Sequence, residues 1–426
     1  MGMILLGTML FLFALSVPVA FAVGLTSVVY MLLSGHVPLP FLAQRMVAGV
    51  DSFPLLAIPF FLLAGELMSA GGITKRLVHF ASTLVGHITG GLANVVIIAN
   101  MIMAGMSGSA VADASAAGAI LTPPMLKSGY PAGFTAAVNA SAATVGPIIP
   151  PSINFVIYGS IAEVSTGRLF AGGIVPGIIM GLYMMGVSYV MARRGRFPRG
   201  SRTSWAELRE ATKGAIAPML MPLTIMGGII GGVFTPTESA VVAAFYALLL
   251  GFAYGEIRLG DLPHVFGKVM INSSVVLFIT AVFALGGWIV AFEKLPQALT
   301  GLFGPIAKNP LLVLLLINVI FLILGCFMDA LPLLIVVVPM FLPLVRGAGI
   351  DLIHFGVVIT LNLMIGLLTP PVGMLMYICC RLADVGIDQF VKYAWPFIAA
   401  LIVVLFMISY VPATVLFMPR ILMGTR

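Results

Sequence analysis

Small polar and acidic side chains collect at two places in an otherwise apolar chain. The first is the stretch GMSGSAVADASAAG, which holds Ser107, Ser109 and Asp113. The second is the stretch GCFMDALP, which begins at Gly325 and holds Asp329. Hydroxyl, carboxylate and carbonyl oxygens are the ligands that hard cations prefer. Each carboxylate could therefore be a sodium ligand, a proton carrier or an N-cap on a helix, and the residues alone leave these roles open.

A proline pair follows each of these places and is expected to break a helix. The segments 146–151 (GPIIPP) and 366–371 (GLLTPP) match when the chain is shifted by 220 positions, and Gly105 then meets Gly325 without a gap. Proline removes an amide donor and blocks helix continuation, so each segment predicts two half-helices with an unwound centre. The alternative is that Gly and Pro merely kink transmembrane helices, where both are common. That alternative explains a lone proline better than a polar tip and a Pro-Pro break that occur twice.

The composition predicts a protein that crosses a membrane many times. Of its 426 residues, 61% are hydrophobic and 8% are charged, and the mean hydropathy is +1.17. A soluble domain carries roughly 25% charged residues. Since one crossing takes about 20 apolar residues, the apolar blocks predict an all-α polytopic membrane protein of about 11 transmembrane helices. We further expect two inverted structural repeats, each with one re-entrant helical hairpin and one broken helix.

The repeat and the charge pattern divide the chain into three parts. Residues 1–192 form repeat 1, 193–213 a basic linker and 214–426 repeat 2. The expected hairpins and broken helices occupy, in chain order, about 92–126, 132–160, 311–345 and 352–380. Short basic loops remain in the cytoplasm, so the linker is expected there. Seven of the 21 Lys and Arg residues lie in it: Arg193, Arg194, Arg196, Arg199, Arg202, Arg209 and Lys213.

Several function classes lack their sequence features. The five histidines are scattered without metal-ligand spacing, and there is no P-loop. The stretch GMSGS is not a nucleophile elbow, because G-x-S-x-G requires glycine where Ser109 stands. The three cysteines lie in apolar surroundings and predict no disulfide framework. The net charge of +7 is concentrated in the linker and does not indicate nucleic acid. The chain is therefore not expected to be an enzyme, and no organic cofactor is expected.

Matched breaks at mid-membrane are typical of secondary transporters. Irregular backbone at that depth must be buried in protein or line a wet cavity. Half-helix N-termini carry partial positive charge and suit a carboxylate, whereas freed carbonyls and hydroxyls suit Na⁺.

One further carboxylate, Glu66, lies near the end of its apolar block, which favours a place at the interface over a functional one. The N-terminus lacks the basic region of a signal peptide, so its apolar run is expected to be a retained first span.

Four separated motifs, in order along the chain, carry a resemblance to a known family. MSGSAVADASAAG, GPIIPPSI, FTPTESAVVAAFYALL and LTPPVG resemble the large membrane (permease) subunit of TRAP (tripartite ATP-independent periplasmic) transporters. The resemblance implies Na⁺-coupled import of an organic anion, such as a C4-dicarboxylate, sialic acid or a related carboxylate, across the bacterial inner membrane. It also implies an elevator mechanism, a small four-helix membrane subunit and a periplasmic substrate-binding protein. Because the chain starts directly at the large subunit, the small subunit is expected to be a separate polypeptide.

The resemblance also places sites on residues of this chain. One sodium site would use Ser107, Ser109, Gly146 and the carbonyls of Ile149 and Pro150. The second would use Gly325, Asp329, Gly366, Thr369 and Val372. Substrate would bind near Asp113, Ser152, Asn154 and Asp329.

Three other interpretations remain open at this level. The nearest is a stand-alone Na⁺- or H⁺-coupled carboxylate carrier of the same architecture, which would need no binding protein. A channel is disfavoured by two occluding hairpins. An intramembrane enzyme or an electron-transfer subunit would need buried His, Lys or Cys clusters, and the sequence shows none.

Overall fold

A computed structural model describes most of the chain. The described residues are 7–8, 11–12, 15, 17–35, 37–200, 203–303, 306 and 308–424. Part of the expected first span, and Arg202 of the basic linker, lie outside the described residues. Within the described ranges the protein is helical, and the extended pairing present is an isolated antiparallel bridge between Thr89 and Arg199. The prediction of an all-α membrane fold is confirmed.

The helices of the first half are short where the sequence predicts a hairpin or a break. In chain order they are α1 (Val19–Ser34), α2 (Pro40–Val50), α3 (Ala57–Ala70), α4 (Ile73–Val85), α5 (Gly91–Ser107), α6 (Ala110–Lys127), α7 (Ala132–Ala143), α8 (Ile153–Ala162) and α9 (Thr166–Arg194). A 3₁₀ turn at Phe53–Leu56 leads into α3.

The second half follows the linker and has the same alternation of long and short helices. In chain order it contains α10 (Trp205–Ile230), α11 (Pro236–Ala253), α12 (Leu262–Phe292), α13 (Leu295–Leu302), α14 (Pro310–Gly325), α15 (Ala330–Gly347), α16 (Leu352–Gly366), α17 (Met374–Ala383), α18 (Ile387–Tyr410) and α19 (Ala413–Met423). Helix α15 widens to a π-helix at Leu333–Val337.

Seven of the described helical segments are long and apolar enough to cross a membrane, compared with about 11 crossings expected from the sequence. They are Phe53–Ala70, Thr166–Arg194, Trp205–Ile230, Pro236–Ala253, Leu259–Phe292, Ala330–Gly347 and Ile387–Tyr410. Other apolar helices have 10–17 residues. At 1.5 Å per residue these reach at most about 25 Å, less than a bilayer core of about 30 Å. These shorter helices include arms of the expected hairpins and halves of the expected broken helices, and part of the expected first span lies outside the described residues.

The first hairpin, α5–α6, begins and ends beside the basic linker. The bridge between Thr89 and Arg199 ties the residues just before α5 to the linker. After α6, the Tyr130 hydroxyl donates a hydrogen bond to the Pro198 carbonyl at 3.3 Å. Both arms therefore start from the linker end of the molecule, by which we mean the end that carries residues 193–200.

The second hairpin, α14–α15, lies against the opposite end. Helix α9 runs 29 residues to reach the linker, so Ala162, just before it, lies at the far end. Arg346, in the last turn of α15, donates to the Ala162 carbonyl at 3.4 Å. Tyr158 similarly donates to the Leu352 carbonyl at 2.7 Å, at the start of α16. The two hairpins thus approach the centre from opposite ends.

Two central helices position the breaks. In α7 every residue from Gly133 to Ala143 is buried, and in α16 every residue from Ile353 to Gly366 is buried. A helix that is apolar and buried on all sides belongs in the core of a bundle. Each of these helices ends at a Pro-Pro segment, so both breaks lie in the protein interior.

A separate layer of long helices packs beside this core. Helices α3 and α11 run in the same direction, since Thr237 at the start of α11 donates to the Phe53 carbonyl at 3.0 Å. At their other ends a Cβ on Gly71 would lie 3.1 Å from the Gly251 Cα. Helix α12 packs against α1, α2 and α3. Helix α10 starts at the linker end and leads away from it, and α11 runs back. The ends of α3 and α11 near Gly71 and Gly251 therefore lie at the linker end.

Candidate functional site

The tip of the first hairpin is a compact set of polar contacts. The Ser107 hydroxyl donates to Asp113 Oδ1 at 2.5 Å, and the Ser109 amide donates to Ser107 Oγ at 3.3 Å. Ser109 is the N-cap of α6, where its Oγ accepts from the Ala112 amide at 3.4 Å. Gly108 between them has a φ of +62°, a conformation that glycine adopts without steric cost.

The other carboxylate oxygen of Asp113 points to the first break. Asp113 is fully buried, and among the described residues its Oδ2 has no hydrogen-bond partner. A Cβ on Gly146 would lie 2.5 Å from this Oδ2 and 3.2 Å from the Ala143 carbonyl. Only glycine at 146 leaves this space open. The tip and the break therefore form one polar cradle.

The rest of the first break is held by its own backbone. Ser152 is fully buried; its hydroxyl donates to the Pro147 carbonyl at 2.5 Å and accepts from the Phe155 amide at 3.2 Å, which caps α8. A Cβ on Gly108 would lie 2.6 Å from the Pro151 carbonyl, so the hairpin tip sits directly on the break. The Pro150–Pro151 and Pro370–Pro371 peptide bonds are both cis.

At the second hairpin, tip and break touch through glycine backbone. A Cβ on Gly366 would lie 2.6 Å from the Gly325 carbonyl oxygen. Beside this contact the Val372 amide donates to the Cys326 carbonyl at 3.0 Å, and the Thr369 hydroxyl donates to the Ile365 carbonyl at 2.8 Å.

Carbonyl groups of the second break converge, and Asp329 caps the second arm. A Cβ on Gly373 would lie 3.1 Å from both the Leu367 and Thr369 carbonyl oxygens. Asp329 Oδ1 accepts from the Ala330 amide at 2.7 Å, as an N-cap does. The second site is thus lined mainly by backbone oxygens, whereas the first is built around a carboxylate.

One cavity of about 790 Å³ joins the two tips and extends to the linker end. The sequence-predicted residues Ser107, Ser109, Asp113, Asn154 and Asp329 line it. Ser152, expected near substrate, makes its hydrogen bonds within the break and is not among the lining residues. The cavity lies between the hairpin tips and the layer formed by α3 and α12, and beside it α12 packs directly against α15.

Three charged side chains of this cavity were not assigned to the site from the sequence. They are Glu66 on α3, Lys75 on α4 and Lys268 on α12. Glu66 was expected at the interface; it lies one turn from the end of α3, where its side chain lines the cavity and forms an ion pair with Lys268. Lys268 lies just before the apolar run of α12. An ammonium group only six residues into a spanning helix is the sequence signal that could have identified it.

Broken helices, opposed hairpins and a cavity between their tips are typical of membrane transporters of the secondary-carrier type. The chain belongs to the DctM component family of tripartite ATP-independent periplasmic transporters, whose family profile matches residues 6–414. The recognition of a TRAP large permease from four motifs is therefore confirmed.

Individual relatives agree with this family. The chain is 39% identical over 408 residues to the sialic acid TRAP transporter large permease protein SiaM of Vibrio cholerae, covering 96% of each chain. It is 37% identical over 403 residues to the C4-dicarboxylate TRAP transporter large permease protein DctM of Pseudomonas aeruginosa, covering 94% of each. These names agree with a transport role and not an enzymatic one.

A solved structure shares the fold at low sequence identity. The Alcanivorax borkumensis YdaH transporter superposes with a TM-score of 0.60 at 16% identity, over 87% of this chain and 88% of that chain. This likeness concerns the fold alone.

Proposed function

We propose that this chain imports an organic carboxylate across the bacterial inner membrane, driven by Na⁺. The relatives named for sialic acid and C4-dicarboxylate support a carboxylate as substrate. The family description supports a periplasmic binding protein that delivers it and a small membrane subunit that accompanies the permease.

The observation that carries the proposal is the buried Asp113 carboxylate. Ser107 satisfies one oxygen, while the other faces the space at Gly146 without a partner among the described residues. A buried charge without compensation costs several kcal/mol. A cation in that space removes the cost, and hydroxyl and carbonyl oxygens at the break are suitable further ligands. We assign the first sodium site to Ser107, Asp113 and Gly146.

The second site is proposed at the matched position of the other hairpin. The contact between Gly325 and Gly366 and the carbonyls near Thr369 and Gly373 supply oxygen ligands there. For a dianion, two ion sites are the minimum that energetics require. Importing a dianion against 100 mV costs about 4.6 kcal/mol, and two Na⁺ cancel that cost.

The arrangement also supports an elevator mechanism. Both tips and both breaks belong to one buried unit, and the cavity occupies part of the boundary between that unit and the layer of α3 and α12. A unit that holds ions and substrate at its own tips can carry them past a fixed layer without being dismantled. The approach of the hairpins from opposite ends supports inverted repeats, which give the two access states equivalent geometry.

The test is uptake into proteoliposomes with an inward Na⁺ gradient. Labelled succinate and labelled N-acetylneuraminate serve as probes, and the small subunit and the binding protein are added in turn. Uptake that requires all three proteins and Na⁺ supports the proposal. Uptake by this chain alone, or with a proton gradient in place of Na⁺, indicates a stand-alone carrier instead.

Point variants test the ion sites. Asp113→Asn, Ser107→Ala and Thr369→Ala are each expected to raise the Na⁺ concentration for half-maximal uptake, because each removes or misplaces an oxygen near a proposed ion. Thr224→Ala is the matched control, since its hydroxyl bonds only to the Leu220 carbonyl on exposed α10. Unchanged Na⁺ dependence in all three variants would refute the assignment.

A further inference from the structure

An ion pair spans two helices of the layer that faces the hairpins. Lys268 Nζ on α12 contacts Glu66 Oε1 on α3, and both side chains line the cavity. Lys268 keeps about half of its side-chain surface exposed, and Glu66 about a quarter. The pair is therefore wet and accessible from the cavity.

The pair lies at the linker end of the cavity. Glu66 is one turn before the end of α3, whose following residue, Gly71, contacts Gly251 at the linker end. Lys268 is six residues past the start of α12, or about 9 Å along the helix axis. Lys75, on the first turn of α4, lines the same part of the cavity. The hairpin tips lie deeper.

The charges along this cavity pose a problem for an anion. At the depth of the tips the ionisable groups are carboxylates, Asp113 and Asp329. Among the described lining residues the cations are Lys75 and Lys268, both at the linker end. An organic anion that leaves the tips toward that end therefore meets Lys268 on its way out, and meets it already paired with Glu66.

A partly exposed ion pair is easily exchanged. Such pairs contribute about 1 kcal/mol or less, so a second carboxylate competes with Glu66 on nearly equal terms. The chemistry of the two competitors is the same: a carboxylate oxygen on an ammonium group.

We propose that Lys268 is a substrate-binding residue on the exit side, which exchanges Glu66 for the substrate carboxylate as the substrate leaves, after which Glu66 displaces the substrate. The inference rests on the proposed import of a carboxylate. Lys268 draws the anion away from the ion sites, and Glu66 keeps that second binding weak enough for release. A lysine without its competing glutamate would hold the anion too long.

The test measures half-saturation from the linker side. Uptake that requires the externally added binding protein comes only from permease molecules whose far end faces outward. The linker end of these molecules faces the vesicle lumen. Vesicles are loaded with unlabelled succinate or N-acetylneuraminate, whichever the wild type transports, and exchange with external label is followed as luminal substrate is varied. Luminal and Na⁺ half-saturation concentrations are both recorded.

Lys268→Gln is expected to raise the luminal half-saturation concentration by up to about fivefold, and Lys268→Arg to restore most of it. Glu66→Gln is expected to lower it about fivefold and to slow net release. Neither Lys268 variant should move Na⁺ half-saturation. The opposite signs matter. If the ion pair were purely structural, removing either partner would shift the luminal half-saturation concentration in the same direction.

The matched control is a second ion pair at the same end of the molecule. Arg76 and Glu256 lie 3.9 Å apart and are likewise both partly exposed, and neither is among the cavity-lining residues. Arg76→Gln should leave luminal half-saturation unchanged.

The outcomes separate the two proposals. Wild-type vesicles without Na⁺-driven uptake would refute the proposed function. Normal wild-type uptake combined with an unshifted Lys268→Gln, or with Lys268→Gln and Glu66→Gln shifted in the same direction, would refute the exit-side role alone.

Discussion

A single methyl group at position 146 tests the first ion site most directly. In Gly146→Ala the new Cβ would lie 2.5 Å from Asp113 Oδ2 and 3.2 Å from the Ala143 carbonyl oxygen. Real Cβ atoms essentially never approach another heavy atom closer than 3.0 Å. The carboxylate must therefore retreat by at least about half an ångström.

That retreat is large on the scale of metal coordination. Metal–ligand distances are defined to about 0.2 Å, so the displaced Oδ2 stops being a good ligand. A contact with a charged group contributes about 1.5–3 kcal/mol. Losing it corresponds to a rise of roughly 10- to 150-fold in the Na⁺ concentration for half-maximal uptake. The substrate concentration for half-saturation, measured at saturating Na⁺, should change much less.

Two assays report this change independently. The first is Na⁺-dependent uptake, and the second is the rise in the unfolding temperature of the purified protein on adding Na⁺, since a ligand stabilises the fold it binds. Gly186→Ala is the control, because a Cβ there meets no described atom within 4 Å. A Gly146→Ala protein with wild-type Na⁺ half-saturation and a wild-type thermal response would show that the cradle is not an ion site.

Two further substitutions probe the second half. Gly366→Ala would place a Cβ 2.6 Å from the Gly325 carbonyl and is expected to reduce uptake at least tenfold. Gly347→Ala is the control and should transport normally, because a Cβ there meets no described atom within 4 Å. Equal uptake by both variants would contradict the tight contact of tip and break. Asn318→Ala removes a side chain from a buried network, in which its Oδ1 accepts from the Asn362 side-chain amide at 3.1 Å and its Nδ2 donates to Ser409 Oγ at 2.9 Å; it is expected to lower the free energy of unfolding by about 1–3 kcal/mol. Thermal unfolding in detergent measures that change, and an unaltered unfolding temperature would show that the network does not stabilise the core.

The sequence predicted the hairpins and breaks because their signals are local. A Gly/Ser tip and a Pro-Pro pair act on the backbone where they stand. The number of crossings was harder to predict, because hydropathy does not show where a largely apolar helix ends, as α5 and α14 illustrate. Their 17 and 16 residues stop at the tips. Where a helix stops depends on what its end meets, and composition does not contain that information.

The site, too, has one part that local motifs predict and another that depends on how distant segments pack. Ser107, Asp113 and Gly146 could each be nominated from their motifs, but the facing of Asp113 Oδ2 toward Gly146 follows from how two separate segments pack. The pair of Glu66 and Lys268 joins residues 202 positions apart. Each of them alone has the features of an ordinary interfacial charge, so only the fold reveals that they line one cavity.

The charges of the cavity also dictate an order of events. At the depth of the tips the lining carboxylates Asp113 and Asp329 give a formal charge of −2, while Glu66, Lys75 and Lys268 lie at the linker end. An anion entering before any cation meets net repulsion, which at roughly 8 Å and an effective dielectric constant of about 20 amounts to about 2 kcal/mol for each uncompensated charge. Two cations binding first cancel that charge. Under the proposed Na⁺ coupling such a carrier resists slippage, since substrate without ions is disfavoured at the moment of loading.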